Sequence, residues 1–262
     1  MQLHYSLLGK YPNIFILHGI LGSGQNWRTF ARKLQSRLPQ LGIALIDLRN
    51  HGRSPRGASP HTLRACAEDL IRLSADIGEP DIVIGHSFGG KVALEFSALE
   101  PPVQTWVLDA PPGTLSEKPE DQSEVLRVIQ SLRSVPTPLE KRKDLIDILM
   151  VQGFSRAIAQ WLTTNLTKGS DGYIWRFDLK IIEELIQDYF QRDLWPMVEN
   201  PMPALDIHIV RAQNSDRWTP ESIHRLQALE QCSVHRLPHA GHWVHVDNPQ
   251  GLCNLLIRHF PS

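Results

Sequence analysis

Five short runs of apolar residues punctuate the chain: Ile14–Leu17, Ile43–Ile46, 82–84, 105–108 and 207–210. A sixth strand signal covers Ser233–Leu237, and Met1-Gln2-Leu3-His4-Tyr5 leads straight into strand-like sequence. The internal runs are apolar throughout and do not alternate, the pattern of strands covered on both faces. Between them the apolar spacing switches to that of helices. Over 26–38, Trp27, Phe30, Ala31 and Leu34 share a face. Over 62–77 the stripe is Leu63, Cys66, Ala67, Leu70, Ile71 and Ser74, and a further helix covers 92–99. Helices also start near Pro220 and over 249–260. Strand and helix in alternation predict an α/β fold with a mostly parallel sheet flanked by helices.

The pattern changes after Ala110-Pro111-Pro112-Gly113. Helical periodicity runs through 125–132, 139–150, 155–166 and 181–190, and no strand stands out before the α/β alternation resumes at 207. The division expected is a core of residues 1–112 and 204–262 with a helical cap, 113–203, inserted in the same domain. No internal repeat or low-complexity tract interrupts it.

One strand–helix junction carries chemistry. Gly85-His86-Ser87-Phe88-Gly89 follows the apolar run 82–84 and opens a helix. It fits G-x-S-x-G, in which a serine sits on a turn so sharp that the residues two before and two after must lack side chains. The turn exposes the hydroxyl at the carboxyl edge of the sheet, beside the N–H groups of a helix N-terminus. A glycine-rich turn with an incidental serine is the bland alternative. Serine needs a base, and the base an acid to orient it. His242, in Pro238-His239-Ala240-Gly241-His242-Trp243 after the last strand, is the expected base. His239, His242 and His245 are spaced H-x2-H-x2-H, but no cysteine or carboxylate cluster joins them, so no metal is expected.

Two aspartates compete for the acid. Asp216 follows the strand 207–210, 26 residues before His242, and is the expected one; Asp109 ends the strand after the elbow and is its rival. Two backbone N–H groups are expected to face a developing oxyanion, those of Phe88, next to the serine, and Ile20, after His18-Gly19. Asp47-Leu48-Arg49-Asn50-His51-Gly52-Arg53-Ser54 reads as a hydrogen-bonded scaffold turn.

Composition narrows the partners. The 262 residues are 42% hydrophobic and 21% charged with a formal net charge of −1, which gives no electrostatic reason to expect nucleic acid or an anionic membrane. Three scattered cysteines, Cys66, Cys232 and Cys253, suit a reducing compartment. With no signal-peptide pattern at the start and no apolar run of membrane-spanning length, a cytoplasmic protein is expected, a monomer or small homo-oligomer.

The segments "LHGILGSGQNW" (17–27), "DLRNHGRS" (47–54), "GHSFGGKVAL" (85–94) and "LPHAGHWVHVDNPQ" (237–250) together resemble the α/β-hydrolase superfamily. Within it they are most similar to the small esterase group containing bacterial YbfF and animal abhydrolase-domain-containing protein 11. The resemblance covers the core and is weak in the cap. It implies the α/β-hydrolase fold and a serine hydrolase, an esterase or thioesterase, forming an acyl-enzyme on Ser87 without a cofactor. In several relatives the position matching Asp216 is not aspartate while that matching Asp109 is, which strengthens the rival acid. Trp27, Phe154, Trp161, Trp218 and Trp243 are the expected walls of the substrate pocket, against the alternative that most aromatics are core. A carbon–carbon bond hydrolase, a lyase or a cofactor-free haloperoxidase would use the same triad, and a non-catalytic binding module the same fold.

Overall fold

A computed structural model describes residues 1–115 and 124–261. Seven strands form one sheet in the order β1 (Tyr5–Leu8), β3 (Ile43–Ile46), β2 (Ile14–Leu17), β4 (Ile82–His86), β5 (Gln104–Leu108), β8 (Asp206–Ala212), β9 (Ser233–Leu237). Every pairing is parallel except that of β1 with β3. β2, β3, β4 and β5 are buried at every position, as strands covered on both faces must be. The all-apolar runs are thus the middle of the sheet, and their carboxyl ends share one edge.

Helices α1 (Arg28–Arg37), α2 (Leu63–Ile77) and α3 (Phe88–Ser97) follow β2, β3 and β4. A 3-10 turn, Gly24–Trp27, replaces the first turn of the expected first helix. After β8 and β9 come α9 (Pro220–Gln227), α10 (Val244–Asp247) and α11 (Pro249–His259). One face of the sheet packs on α1 and α11 through Trp27, Phe30, Leu34, Leu252 and Leu256. The other carries α2 and α3, and its apolar cluster continues without a break into the segment between β5 and β8.

That segment holds α4 (Glu124–Ser134), α5 (Arg142–Val151), α6 (Arg156–Leu162), α7 (Leu179–Gln191) and α8 (Trp195–Glu199). It also holds a hairpin of β6 (Leu166–Lys168) and β7 (Tyr173–Trp175), where no strand is expected from the apolar pattern. Three residues per strand are too few for period-two alternation to show. Helix α7 buries Ile182, Leu185, Ile186, Tyr189 and Phe190 against α2, α3 and α4. Burial of each such side chain stabilises by roughly 1.5–3 kcal/mol, so this face is the main attachment. Polar ties are specific: Asn50 exchanges two hydrogen bonds with the Asp178 backbone (2.9 and 2.8 Å), and Asp188 accepts the Leu63 N–H at the start of α2 (2.7 Å). No helix among the described residues is long and apolar enough to cross a membrane.

Candidate active site

The elbow is as sharp as the motif requires. Ser87 has φ 53° and ψ −120°, a conformation costing a non-glycine residue on the order of 1–3 kcal/mol. A Cβ on Gly85 would sit 2.0 Å from the Gly89 carbonyl oxygen, and one on Gly89 would sit 2.6 Å from that of His18. Both contacts are impossible, so the two glycines are dictated by packing. The strain is held by the Ser87 N–H bonding the Leu108 carbonyl of β5 (2.9 Å) and by α3 starting at the next residue.

The turn after β2 lies against the serine; a Cβ on Gly19 would be 3.4 Å from that of Ser87. The Leu21 N–H donates to His51 Nε2 (3.0 Å), and His51 Nδ1–H donates to the Arg49 carbonyl (2.9 Å). Burial, with His18 beside it, pushes the His51 imidazole down to about 3, so it stays neutral and keeps its acceptor nitrogen. The segment 47–54, read as scaffold, thus pins this turn: Asp47 also accepts the N–H groups of Gly24 and Arg53. The Ile20 and Phe88 N–H groups have no acceptor among the described residues, and both residues line the same cleft as Ser87.

His242 stands in the loop between β9 and α10 and faces that cleft. Its carbonyl accepts His86 Nε2–H (2.7 Å), which fixes its backbone beside the elbow. His86 is held far below the usual imidazole range by burial, then by its neighbours His242 and His245, so it acts as a neutral strut. His245 stacks on Trp27 at 4.0 Å, and burial pushes it down to about 4.

The carboxylate on His242 is that of Asp109, 2.8 Å from Nδ1, which corrects the expectation for Asp216. Asp109 is 0% exposed and accepts four donors. Oδ1 takes the Ala212 N–H (3.0 Å) and Trp218 Nε1–H (2.7 Å); Oδ2 takes the Ser215 hydroxyl (2.6 Å) and His242. The Asp216 side chain is 92% exposed and, among the described residues, pairs only with Arg217 (3.6 Å). The loop after β8 turns Ser215 and Trp218 inward to the carboxylate, which sends the residue next to Ser215 into solvent.

The cleft has about 830 Å³ of empty space, its open mouth included. Trp27, Trp161 and Trp243 line it with Ile20, Val125, Val128, Ile158, Ile186 and Phe190. Two expected wall residues are elsewhere. Trp218 is buried between β5, β8 and α9 as the donor to Asp109, and Phe154 is core of the inserted segment under the Arg127 guanidinium (5.4 Å). Tyr189 lines the cleft beside the Ser87 hydroxyl, and burial pushes its phenol up to about 12.

Sequence reasoning missed Lys91, whose signal was a lone cation in the apolar run after the elbow. It is 0% exposed, and its ammonium donates to the carbonyls of Gly113 (2.6 Å), Tyr189 (2.8 Å) and Arg192 (2.8 Å). It therefore ties α3 to the start of the inserted segment and to the end of α7. Burial pushes it down to about 7.

At this edge of the sheet a strained serine turn thus stands beside a histidine held by a buried carboxylate from the next strand. The family model described as the alpha/beta hydrolase family matches residues 14–255. The chain belongs to the alpha/beta hydrolase family. Among its relatives in this family is the sn-1-specific diacylglycerol lipase ABHD11 of Danio rerio, 30% identical over 95% of this chain and 78% of that protein. Esterase YbfF of Escherichia coli is 25% identical over 94% of this chain and 92% of its own length. A solved marine microorganism esterase superposes with a TM-score of 0.85 at 26% identity, covering 99% of each chain. This hydrolase thus shares its fold and most of its length with esterases and a lipase.

Proposed function

We propose that this hydrolase cleaves small acyl esters, acyl thioesters among them, through an acyl-enzyme on Ser87. The observation that carries the reading is the His242 Nδ1–H bond to the wholly buried Asp109 carboxylate, in a cleft shared with the strained Ser87. That bond leaves the lone pair on His242 Nε2, the tautomer needed to take the serine proton. The serine oxygen then attacks the carbonyl carbon. The Ile20 and Phe88 N–H groups receive the charge on the carbonyl oxygen, and Nε2–H protonates the departing alcohol or thiol. Water, deprotonated by the same histidine, releases the acid and restores the serine. Asp109 stays ionised and stabilises the imidazolium.

In this reading residues 113–203 are a cap that supplies the apolar wall facing the serine. Val125, Val128 and Ile158 bring no charge or hydrogen-bonding group to this wall, which favours an apolar acyl chain against it. The names of the relatives, an esterase and a diacylglycerol lipase, support oxygen esters first. The test is a series of p-nitrophenyl esters of increasing acyl length with acyl-CoA thioesters beside it, together with labelling by a fluorophosphonate. Turnover of short esters and label on Ser87 are expected. A folded protein that neither turns over any ester nor takes the label refutes the proposal.

A further inference from the structure

A second cluster of histidines lies away from the cleft, and the function above does not use it. His208 on β8 and His235 on β9 are offset by two positions in the parallel register, which puts them on one face of the sheet. Trp106 on β5 pairs directly with His208 and stacks on it at 3.9 Å, with the ring planes 8° apart. His235 stacks behind at 5.2 Å. α11 crosses this face and ends at His259, whose ring is 4.8 Å from that of His235. One nitrogen from each of the three rings lies within 4.8 Å of the other two.

From this geometry we propose that His208, His235 and His259 bind one divalent transition-metal ion, with zinc the expected species. Three imidazoles with no thiolate suit zinc, copper(II) or nickel, whereas magnesium and calcium require oxygen ligands. His208 is already oriented as a ligand. Its Nε2–H donates to Asp206 (2.7 Å), the carboxylate–histidine pairing that fixes the tautomer of metal-bound histidines. Its Nδ1 lone pair points at His235 Nε2 (2.9 Å). Gln104 braces the outer shell: its amide donates to the His259 carbonyl (2.7 Å) and to Asp206 (3.2 Å), while its oxygen accepts Trp106 Nε1–H (3.1 Å).

Binding requires two adjustments. His235 moves its proton from Nε2 to Nδ1, and the spacing resets: the His235 ring draws back from its 2.9 Å contact with His208 while the partly exposed His259 ring closes in. Tetrahedral zinc at about 2.0–2.1 Å from each nitrogen sets them about 3.4 Å apart. The ion would clamp β8, β9 and the end of α11. His208 lies four residues before Ala212, roughly 13 Å along the strand from the Asp109 contact, so the site is structural.

The experiment titrates metal-stripped protein with Zn²⁺ by calorimetry, for the wild type and for His235→Ala, His259→Gln, His242→Ala and His224→Ala. The expected result is one equivalent bound by the wild type, weakened at least roughly tenfold in the first two variants and unchanged in the last two. Zn²⁺ should raise the melting temperature of the wild type and of His224→Ala but not of His235→Ala, and Cu²⁺ should give nitrogen couplings in its resonance spectrum. Ester hydrolysis by His235→Ala should match the wild type. The proposal is overturned if the wild type binds no equivalent, if both cluster variants keep wild-type affinity within roughly tenfold, or if His242→Ala abolishes binding. Circular dichroism of the metal-free variants separates lost ligands from lost folding.

Discussion

Replacing Asp109 by asparagine removes one charge and keeps the shape, and the hydrogen bonds around it dictate the outcome. The carboxylate accepts four donors, two on each oxygen. An amide has one oxygen and one NH₂, so one side must face donors with donors. On the Oδ1 side both partners are fixed N–H groups, from the Ala212 backbone and the Trp218 indole, and neither can become an acceptor. On the Oδ2 side the Ser215 hydroxyl can rotate to accept, and His242 can move its proton from Nδ1 to Nε2. The NH₂ will therefore face His242 and lock it in the tautomer that has no lone pair for the Ser87 proton. The imidazolium also loses its counter-charge.

The expected loss in kcat for Asp109→Asn is about 10⁴-fold, the size seen for the same tautomer error in serine proteases. That corresponds to about 5.5 kcal/mol of transition-state stabilisation. Stability should change by no more than about 2 kcal/mol, because removing a buried charge offsets the loss of charge-assisted bonds. The assay is steady-state hydrolysis of a short p-nitrophenyl ester, with a urea melt of each variant and Asp216→Asn as the control. A loss under roughly tenfold in a folded Asp109→Asn protein, or a larger loss in Asp216→Asn, would refute the reasoning.

Ser87→Ala should lose ester turnover by several orders of magnitude and all fluorophosphonate labelling while melting like the wild type; full activity in the folded variant rules out the mechanism. Trp218→Phe keeps the buried ring but removes one donor from Asp109, so kcat should fall roughly ten- to hundredfold with KM unchanged, and equal kinetics would show that the indole N–H does not hold the acid. Stability should fall on acidification below about pH 6.5, because the unfolded chain takes up protons that His51 (pushed down to about 3) and His245 (down to about 4) refuse when folded. Each contributes a slope of up to about 1.4 kcal/mol per pH unit, fully present as stability above about pH 6.5 and lost toward about pH 4; unfolding free energies that stay flat between about pH 7 and 5 would contradict it.

Legibility in the sequence followed how local each constraint is. The central strands are apolar at successive positions because both faces are covered, and a run of four residues is enough to show it. The elbow was legible because two impossible Cβ contacts force two glycines at fixed spacing around Ser87. The acid was not. β5 and β8 are paired, with Leu108 opposite Val210, so Asp109 and the loop holding Asp216 reach the same edge. Distance along the chain cannot rank two residues that the sheet brings together; side-chain direction does. One cue existed: Asp109 ends an all-buried strand, whereas Asp216 sits between a serine and an arginine. The histidine cluster lay hidden for the same reason, since His208, His235 and His259 meet only through strand register and the path of α11.

The inserted segment was hard to read for another reason. An apolar stripe on a helix records that a face is covered, but not whether protein or a cleft covers it. Phe154 and Trp161 stand seven positions apart with the same pattern around them, yet Phe154 is core under Arg127 while Trp161 lines the cleft edge-on to Trp243 at 4.9 Å. What separates them is a polar atom: the Trp161 indole N–H is buried with no partner among the described residues, a cost that core tryptophans avoid and that a bound ligand can repay. Lys91 makes the converse point. An ammonium in an apolar run is costly unless every N–H is satisfied, and here three carbonyls from both ends of the inserted segment satisfy it. The cation that looks out of place four residues after Ser87 is thus one of the polar links, beside those of Asn50 and Asp188, that hold the inserted segment to the core.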